Sequence, residues 1–256
     1  QNFITGGDFS SEPDADYVDA GYTIQYNDDD TYTVVAKQAN AAEVVPAAPE
    51  VKKPADLTGN DAAAAETVAS ALATTEVVTG TGLNAAATGV ANENTITAAT
   101  PVEDTTVLGK LQTAASDPAI TAEAVTIVIQ PYMNVEIQDV DTAARTLTVD
   151  VTPMYRTVAT TDPDNIQLTG GSVNAVEIGT AQKLTITKPV TVKIPVPDSV
   201  AGTNTTAYVT HIKDDGTMYV YTGTISGAAG SKVLTFENPN GFSTLKVTTG
   251  KPVAAI

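Results

Sequence analysis

Thr146-Leu147-Thr148-Val149-Asp150-Val151 alternates polar and apolar side chains without a break. Successive side chains on an extended chain point to opposite faces, so this pattern specifies a strand with one face in a core and one in water. The same reading applies upstream to Val125–Ile129 and Asn134–Ile137, and downstream to Tyr155–Ala159, Val173–Ile178, Leu184–Thr187 and Val190–Val196. It applies again to Ala207–Ile212, Met218–Ile225, Val233–Phe236 and Leu245–Val247. Turn residues separate these runs at Asp139-Val140-Asp141, Gly170-Gly171, Asp214-Asp215-Gly216 and Asn238-Pro239-Asn240-Gly241. Short β-branched runs divided by such turns predict one or two antiparallel β-sandwiches over residues 121–256. Ile127, Ile129, Val149, Ile194, Val209, Val220 and Phe236 are expected to point inward, and threonine to cover the outer faces.

The pattern changes upstream of residue 121. Residues 57–120 form an Ala-rich segment in which Ala65, Val68, Ala69 and Leu72 fall on one helical face, with Asn60 or Asp61 placed to cap the helix. Leu83–Val90 and Val107–Ala115 predict two further short helices, each burying little area because its apolar residues are mostly alanine. Residues 38–56 are rich in Ala, Val and Lys with Pro46, Pro49 and Pro54, which predicts an extended linker. Residues 1–37 contain two short strands around Asn27-Asp28-Asp29-Asp30, an N-terminal β-hairpin. The fold class is therefore mainly β, with a small helical segment.

Composition restricts function. The chain has 256 residues, with 13 Lys+Arg against 30 Asp+Glu and a formal net charge of −17. That balance opposes nucleic acid and anionic lipid, both of which need clustered cations. No apolar run is long enough to span a bilayer as a helix, so no membrane insertion is expected. The absence of Cys excludes a disulfide framework and thiolate chemistry.

The stretch Ile4-Thr5-Gly6-Gly7-Asp8-Phe9-Ser10, followed by Gly21–Val35, resembles the closing rung and terminal hairpin of Gly-Gly-x-Phe-Ser β-helix-type repeats in large surface proteins of Gram-positive (Firmicutes) anaerobes. A second stretch also resembles those proteins. Lys188–Pro197, His211–Thr217 and Leu234–Ser243, with Pro131-Tyr132-Met133 and Thr152–Arg156, look like their C-terminal β-sandwich module. The resemblance implies an extracellular, cell-surface protein and carries no active site with it. It also implies rungs before Ile4, so the chain is expected either to be a processed fragment or to pair its first rung with another molecule.

The chemical candidates are few. His211 is the single histidine, has no partner for a zinc site, and is expected to be structural rather than part of a Ser–His–acid triad. Paired carboxylates for glycoside hydrolysis lack the aromatic platforms sugars need, since the chain has no Trp, and no enzyme activity is expected. Calcium is the one cofactor with any support, through Asp28 and Asp30 in the acidic turn, with Asp139/Asp141 and Asp162/Asp164 as further carboxylate pairs. Calcium takes six to eight oxygens, and aspartate also favours turns for backbone reasons alone. Asn204-Thr205-Thr206 fits a glycosylation acceptor. Lys193 or Lys246 opposite Asn238 would permit an isopeptide bond.

These readings favour an extracellular structural subunit of a bacterial surface layer or filament, self-assembling as a homo-oligomer or polymer through strand exchange of the N-terminal segment. Phe3, Ile4, Phe9, Tyr22, Ile24 and Tyr32 are its expected interface residues. The alternatives are an adhesin or glycan/protein-binding module of a larger cell-wall protein, contacting wall or host surface, and, less favoured, a wall-associated hydrolase.

Overall fold

The computed structural model describes residues 4, 7–11, 13–14, 17–18, 22–26, 31–36, 42–78 and 80–250, excepting the side chains of 22–26, 35–36 and 80–81. In chain order the elements are β1 (Gly7–Phe9), β2 (Tyr22–Tyr26), β3 (Tyr32–Ala36), β4 (Glu43–Val44), β5 (Glu50–Lys52), α1 (Gly59–Leu72) and α2 (Gly80–Glu93). The short β6 (Pro101–Val102) and β7 (Thr105–Thr106) lead into α3 (Val107–Ala115), then β8 (Thr126–Asp141), β9 (Thr146–Thr160), β10 (Ala175–Lys183) and β11 (Val190–Pro195). A single turn, α4 (Asp198–Ala201), precedes β12 (Thr206–Ile212), β13 (Met218–Ser226), β14 (Val233–Asn238) and β15 (Thr244–Thr248). The chain is mainly β, with helices concentrated in the Ala-rich segment.

Strands β4, β5 and β8–β15 belong to one ten-stranded sheet, ordered β11-β14-β13-β12-β15-β9-β8-β4, with β10 beside β9 and β5 beside β8. The expected sandwich of separate sheets is replaced by a single sheet that curls on itself. Its axis is the β8–β9 hairpin, in which runs read as four strands from sequence are two strands of 16 and 15 residues. Pro131 and Pro153 interrupt the sequence pattern but not these strands. The Pro131 carbonyl accepts from Ala47 N at 2.9 Å and the Pro153 carbonyl from Leu184 N at 2.9 Å. Each missing N–H therefore faces the edge where the neighbouring strand changes: from β4 to β5 beside β8, and from β15 to β10 beside β9. A bulge between Ile137 and Asp139 shifts the alternation by one, so that Ile137 and Val140 both point inward. Asp139–Asp141 consequently lies in β8, and the turn falls three residues later than expected.

Residues 42–52, expected to be linker, run parallel to β8. Glu43–Val44 pair with Val128–Ile129, Glu50–Lys52 pair with Asn134–Glu136, and Val45 N donates to Ile129 O at 3.1 Å. The prolines fall between the pairing stretches, so they interrupt this edge strand without abolishing it.

The concave face holds one core. Ile127, Ile129, Val149, Ile194, Val209 and Phe236 are buried as expected, whereas Val220 is 53 % exposed and on the outer face. Helix α1 packs Ala64, Ala65, Val68 and Leu72 inward, against β5 and β8 on one side and β11 on the other. It thereby bridges the two ends of the curled sheet. Its N-cap is Thr58, with no side-chain cap bond. Asp61, expected as a cap, instead accepts from Thr142 Oγ1 (2.7 Å) and Thr142 N (2.9 Å) in the β8–β9 turn.

The sheet turns a corner at Gly223. β13 pairs with β12 along Met218–Thr224, but with β14 only over Thr224–Ser226. A Cβ on Gly223 would lie 2.5 Å from Leu234 Cδ1, 2.9 Å from Thr235 O and 3.2 Å from Phe236 Cβ. β14 thus crosses the inner side of β13 at the one position without a side chain.

Strands β1 and β2 flank β3 antiparallel in a separate three-stranded sheet. Val34 of β3 is buried, as is Val18 upstream of β2, which bridges Ile4.

Candidate functional site

His211 sits fully buried on the inner face of β12. Ser243 Oγ donates to the Ile212 carbonyl at 2.8 Å and lies 2.9 Å from His211 Nε2. The hydroxyl proton is thereby committed, so the imidazole carries its own proton on Nε2 and donates it to Ser243. Nδ1 then accepts from Tyr221 Oη at 3.3 Å, and Asn240 Nδ2 donates to Tyr221 Oη at 2.8 Å. A general base for Ser243 would need a bare Nε2, and the group on Nδ1 is a tyrosine rather than a carboxylate. Burial first, and the Lys213 ammonium second, push the His211 pKa below its ordinary value, keeping the ring neutral. This chain of hydrogen bonds ties the end of β12 to the middle of β13 and to the β14–β15 connection. Tyr221 also stacks on Phe236, with ring centroids 5.7 Å apart.

Of the residues expected at an N-terminal interface, Phe3 lies outside the described residues. Ile4 forms a parallel bridge with Val18, and its N–H donates to Tyr17 O at 2.9 Å. Phe9 pairs with Tyr32, Tyr32 also pairs with Tyr26, Tyr22 pairs with Ala36, and Ile24 pairs with Val34. The three-stranded sheet therefore gathers Phe9, Tyr22, Ile24 and Tyr32. Asp28 and Asp30 lie outside the described residues, so the calcium expectation rests on sequence. Among the described residues no three His, Asp or Glu side chains converge on a metal position. Asp141 Oδ1 accepts from Ala144 N at 2.7 Å, a turn-closing role. Asn238 faces Val190, while Lys193 pairs with Thr235 and Lys246 with Thr148 and Thr210. Neither lysine is opposite Asn238, which removes the isopeptide arrangement. Asn204 Nδ2 donates to Ala201 O at 2.9 Å.

The residues that sequence reasoning missed lie on the convex face. Loop 161–174 folds over Val128, Val158 and Ala175, which form a second, small core with Val45, Ile166 and Leu168. Beside it opens a cavity of about 560 Å³, whose lining includes Gln130, Arg156 and residues 163–169. Arg156 is committed there: Nε donates to Gln130 Oε1 at 2.6 Å, Nη1 pairs with Glu50 at 2.8 Å, and the guanidinium lies 5.0 Å from the Tyr132 ring centroid. These contacts pin the 42–52 strand to β8 and β9.

The second missed feature is the edge of β13. Ile225 N donates to Thr205 O at 2.8 Å, so Tyr219, Tyr221, Gly223 and Ile225 direct their backbone groups toward β12. By alternation Met218, Val220 and Thr222 direct theirs the other way. β14 pairs only from Thr224 onward, so among the described residues no strand meets these three. Met218 and Val220 are also 52 % and 53 % exposed. The edge of β11, by contrast, is covered: Lys193 N donates to Val77 O at 2.8 Å and Val78 bridges Val192. A signal for the β13 edge is visible in sequence, since Gly216–Ser231 contains no charged residue in a chain of net charge −17.

Compared with known proteins, the chain matches no family model, no curated protein and no solved structure.

Proposed function

We propose that this chain is an extracellular structural subunit of a bacterial surface layer or filament, whose copies join by strand exchange through residues 2–35. The observation that carries this reading is the small N-terminal sheet. It is hydrogen-bonded separately from the ten-stranded sheet, and its order β1-β3-β2 leaves a strand of three residues and one of five at its edges. Short edge strands of this kind present backbone N–H and C=O groups to which a strand of a neighbouring copy can pair. The charge of −17 keeps such subunits soluble until they dock. Deleting residues 1–37 and following assembly by light scattering and negative-stain microscopy, with and without calcium, tests the reading. Loss of polymer is expected, and a calcium requirement abolished by Asp28→Asn with Asp30→Asn would assign the ion to that turn. Polymerisation equal to that of the full chain would overturn the proposal.

A further inference from the structure

The geometry points to a second, distinct assembly contact: the open edge of β13 pairs antiparallel with the same edge of another copy, about a two-fold axis at Val220. Met218, Val220 and Thr222 each offer an N–H and a C=O on this edge, and the three are spaced symmetrically about Val220. A two-fold pairing that sets Val220 opposite Val220, and Met218 opposite Thr222 of the other copy, satisfies all of these groups at once. It also sets Tyr219 against Tyr221 of the other copy on the inner face, where both rings already stack 6.5 Å apart within one chain.

Charge selects a second copy as the occupant. Two molecules of net charge −17 repel wherever acidic surface meets acidic surface, and the uncharged stretch Gly216–Ser231 lets two like copies approach closely. Monomeric proteins usually guard an apolar edge with lysine, proline or a covering segment, as Val77–Val78 cover β11 here; Met218–Thr222 contains no lysine or proline, and among the described residues no segment covers it. A five-residue strand pair buries less than the roughly 800 Å² per partner of a standard interface, so the contact belongs to the weak class and strengthens when other contacts hold the copies together. It is independent of the N-terminal exchange. A two-fold contact alone stops at a dimer, whereas combined with a head-to-tail contact it crosslinks filaments into a sheet.

The chain has no cysteine, so a single Thr210→Cys change gives a unique site for a nitroxide label on the outer face of β12. Thr210 pairs with Val220, so the two labelled positions would lie three strand spacings apart, about 14 Å between Cα atoms. Double electron–electron resonance on the full chain, from about 10 μM to about 1 mM, should show a short-distance population that grows with concentration. Adding Val220→Lys should abolish that population while circular dichroism and the melting temperature stay unchanged; Val220→Thr should retain it. The proposal is overturned if no short distance appears, or if Val220→Lys leaves it intact. Sedimentation showing a dimer that depends on Val220 but lacks the short 210–210 distance would instead mean that the edge accepts another segment, such as residues 2–35, which also overturns the two-fold register.

Discussion

Replacing Gly223 with alanine tests whether the sheet turns its corner where the structure places it. The added methyl would meet Leu234 Cδ1 at 2.5 Å and Thr235 O at 2.9 Å. Leu234 is fully buried, so its side chain cannot swing away without displacing other core residues. Thr235 is fixed on both sides, paired with Thr224 on β13 and Lys193 on β11, so its carbonyl moves only if two strand pairs move. Overpacking of this kind costs about 1–3 kcal/mol. Against it stands a gain of about 0.4–1 kcal/mol from restricting the unfolded chain, available because Gly223 is not among the positive-φ glycines. The net expectation is a loss of about 1–2 kcal/mol, or about 2–8 °C in melting temperature for a chain of this size. Gly171→Ala is the control, since a Cβ there meets nothing within 4 Å and the backbone is also unstrained. It should stay within about 0.5 kcal/mol of the parent. Thermal and urea unfolding followed by circular dichroism read both variants. A Gly223→Ala protein as stable as Gly171→Ala would refute the close crossing of β13 and β14.

Three further outcomes follow from the same contacts. His211 is held neutral by burial, so its folded pKa lies below its unfolded value of about 6.5; stability should be level above that pH and decline as pH falls from about 6.5 toward 5, with His211→Asn flattening the slope of the urea midpoint. Asp61 is held below the usual carboxylate range by the Thr142 hydroxyl and then the Thr142 N–H. Its stabilisation is present above about pH 3.9 and lost as pH falls through the depressed value, so Asp61→Asn should melt below the parent at pH 7 and converge with it in strong acid. Leu72→Ala, at a fully buried position where α1 bridges β8 and β11, should cost about 2–5 kcal/mol by denaturant midpoint.

Alternation made the strands legible because most of them have one wet face, and six of the seven residues expected inward are inside. Helical spacing of Val68 and Leu72 identified α1 for the same reason, one apolar stripe against a core. What sequence did not show were relations between distant segments. The prolines of 42–52 suggested a linker, because nothing local reveals that their missing N–H groups fall between stretches of pairing with β8. Pro131 and Pro153 split β8 and β9 into four apparent strands, although each occupies a gap that a change of neighbour creates anyway. The bulge at Ile137/Asp139 moved the turn past two aspartates that look like turn residues.

Val220 is the instructive failure. Met218-Tyr219-Val220-Tyr221-Thr222 is apolar or aromatic on both alternations, so periodicity alone cannot say which side faces the core. Reading Val220 as inward applied the alternation rule to a stretch that does not alternate, whereas the structure puts the two tyrosines inward and leaves Met218 and Val220 in solvent. A strand apolar on both faces is the sequence mark of one buried on both faces. β12 guards one edge and the core one face; among the described residues no strand pairs with the other edge at Met218–Thr222, and Met218 and Val220 are exposed on the other face. The mismatch between a doubly apolar sequence and a half-exposed strand is explained when a second copy supplies the missing neighbour. Its pairing covers the six backbone groups and shields Val220, leaving the rest of an acidic surface untouched.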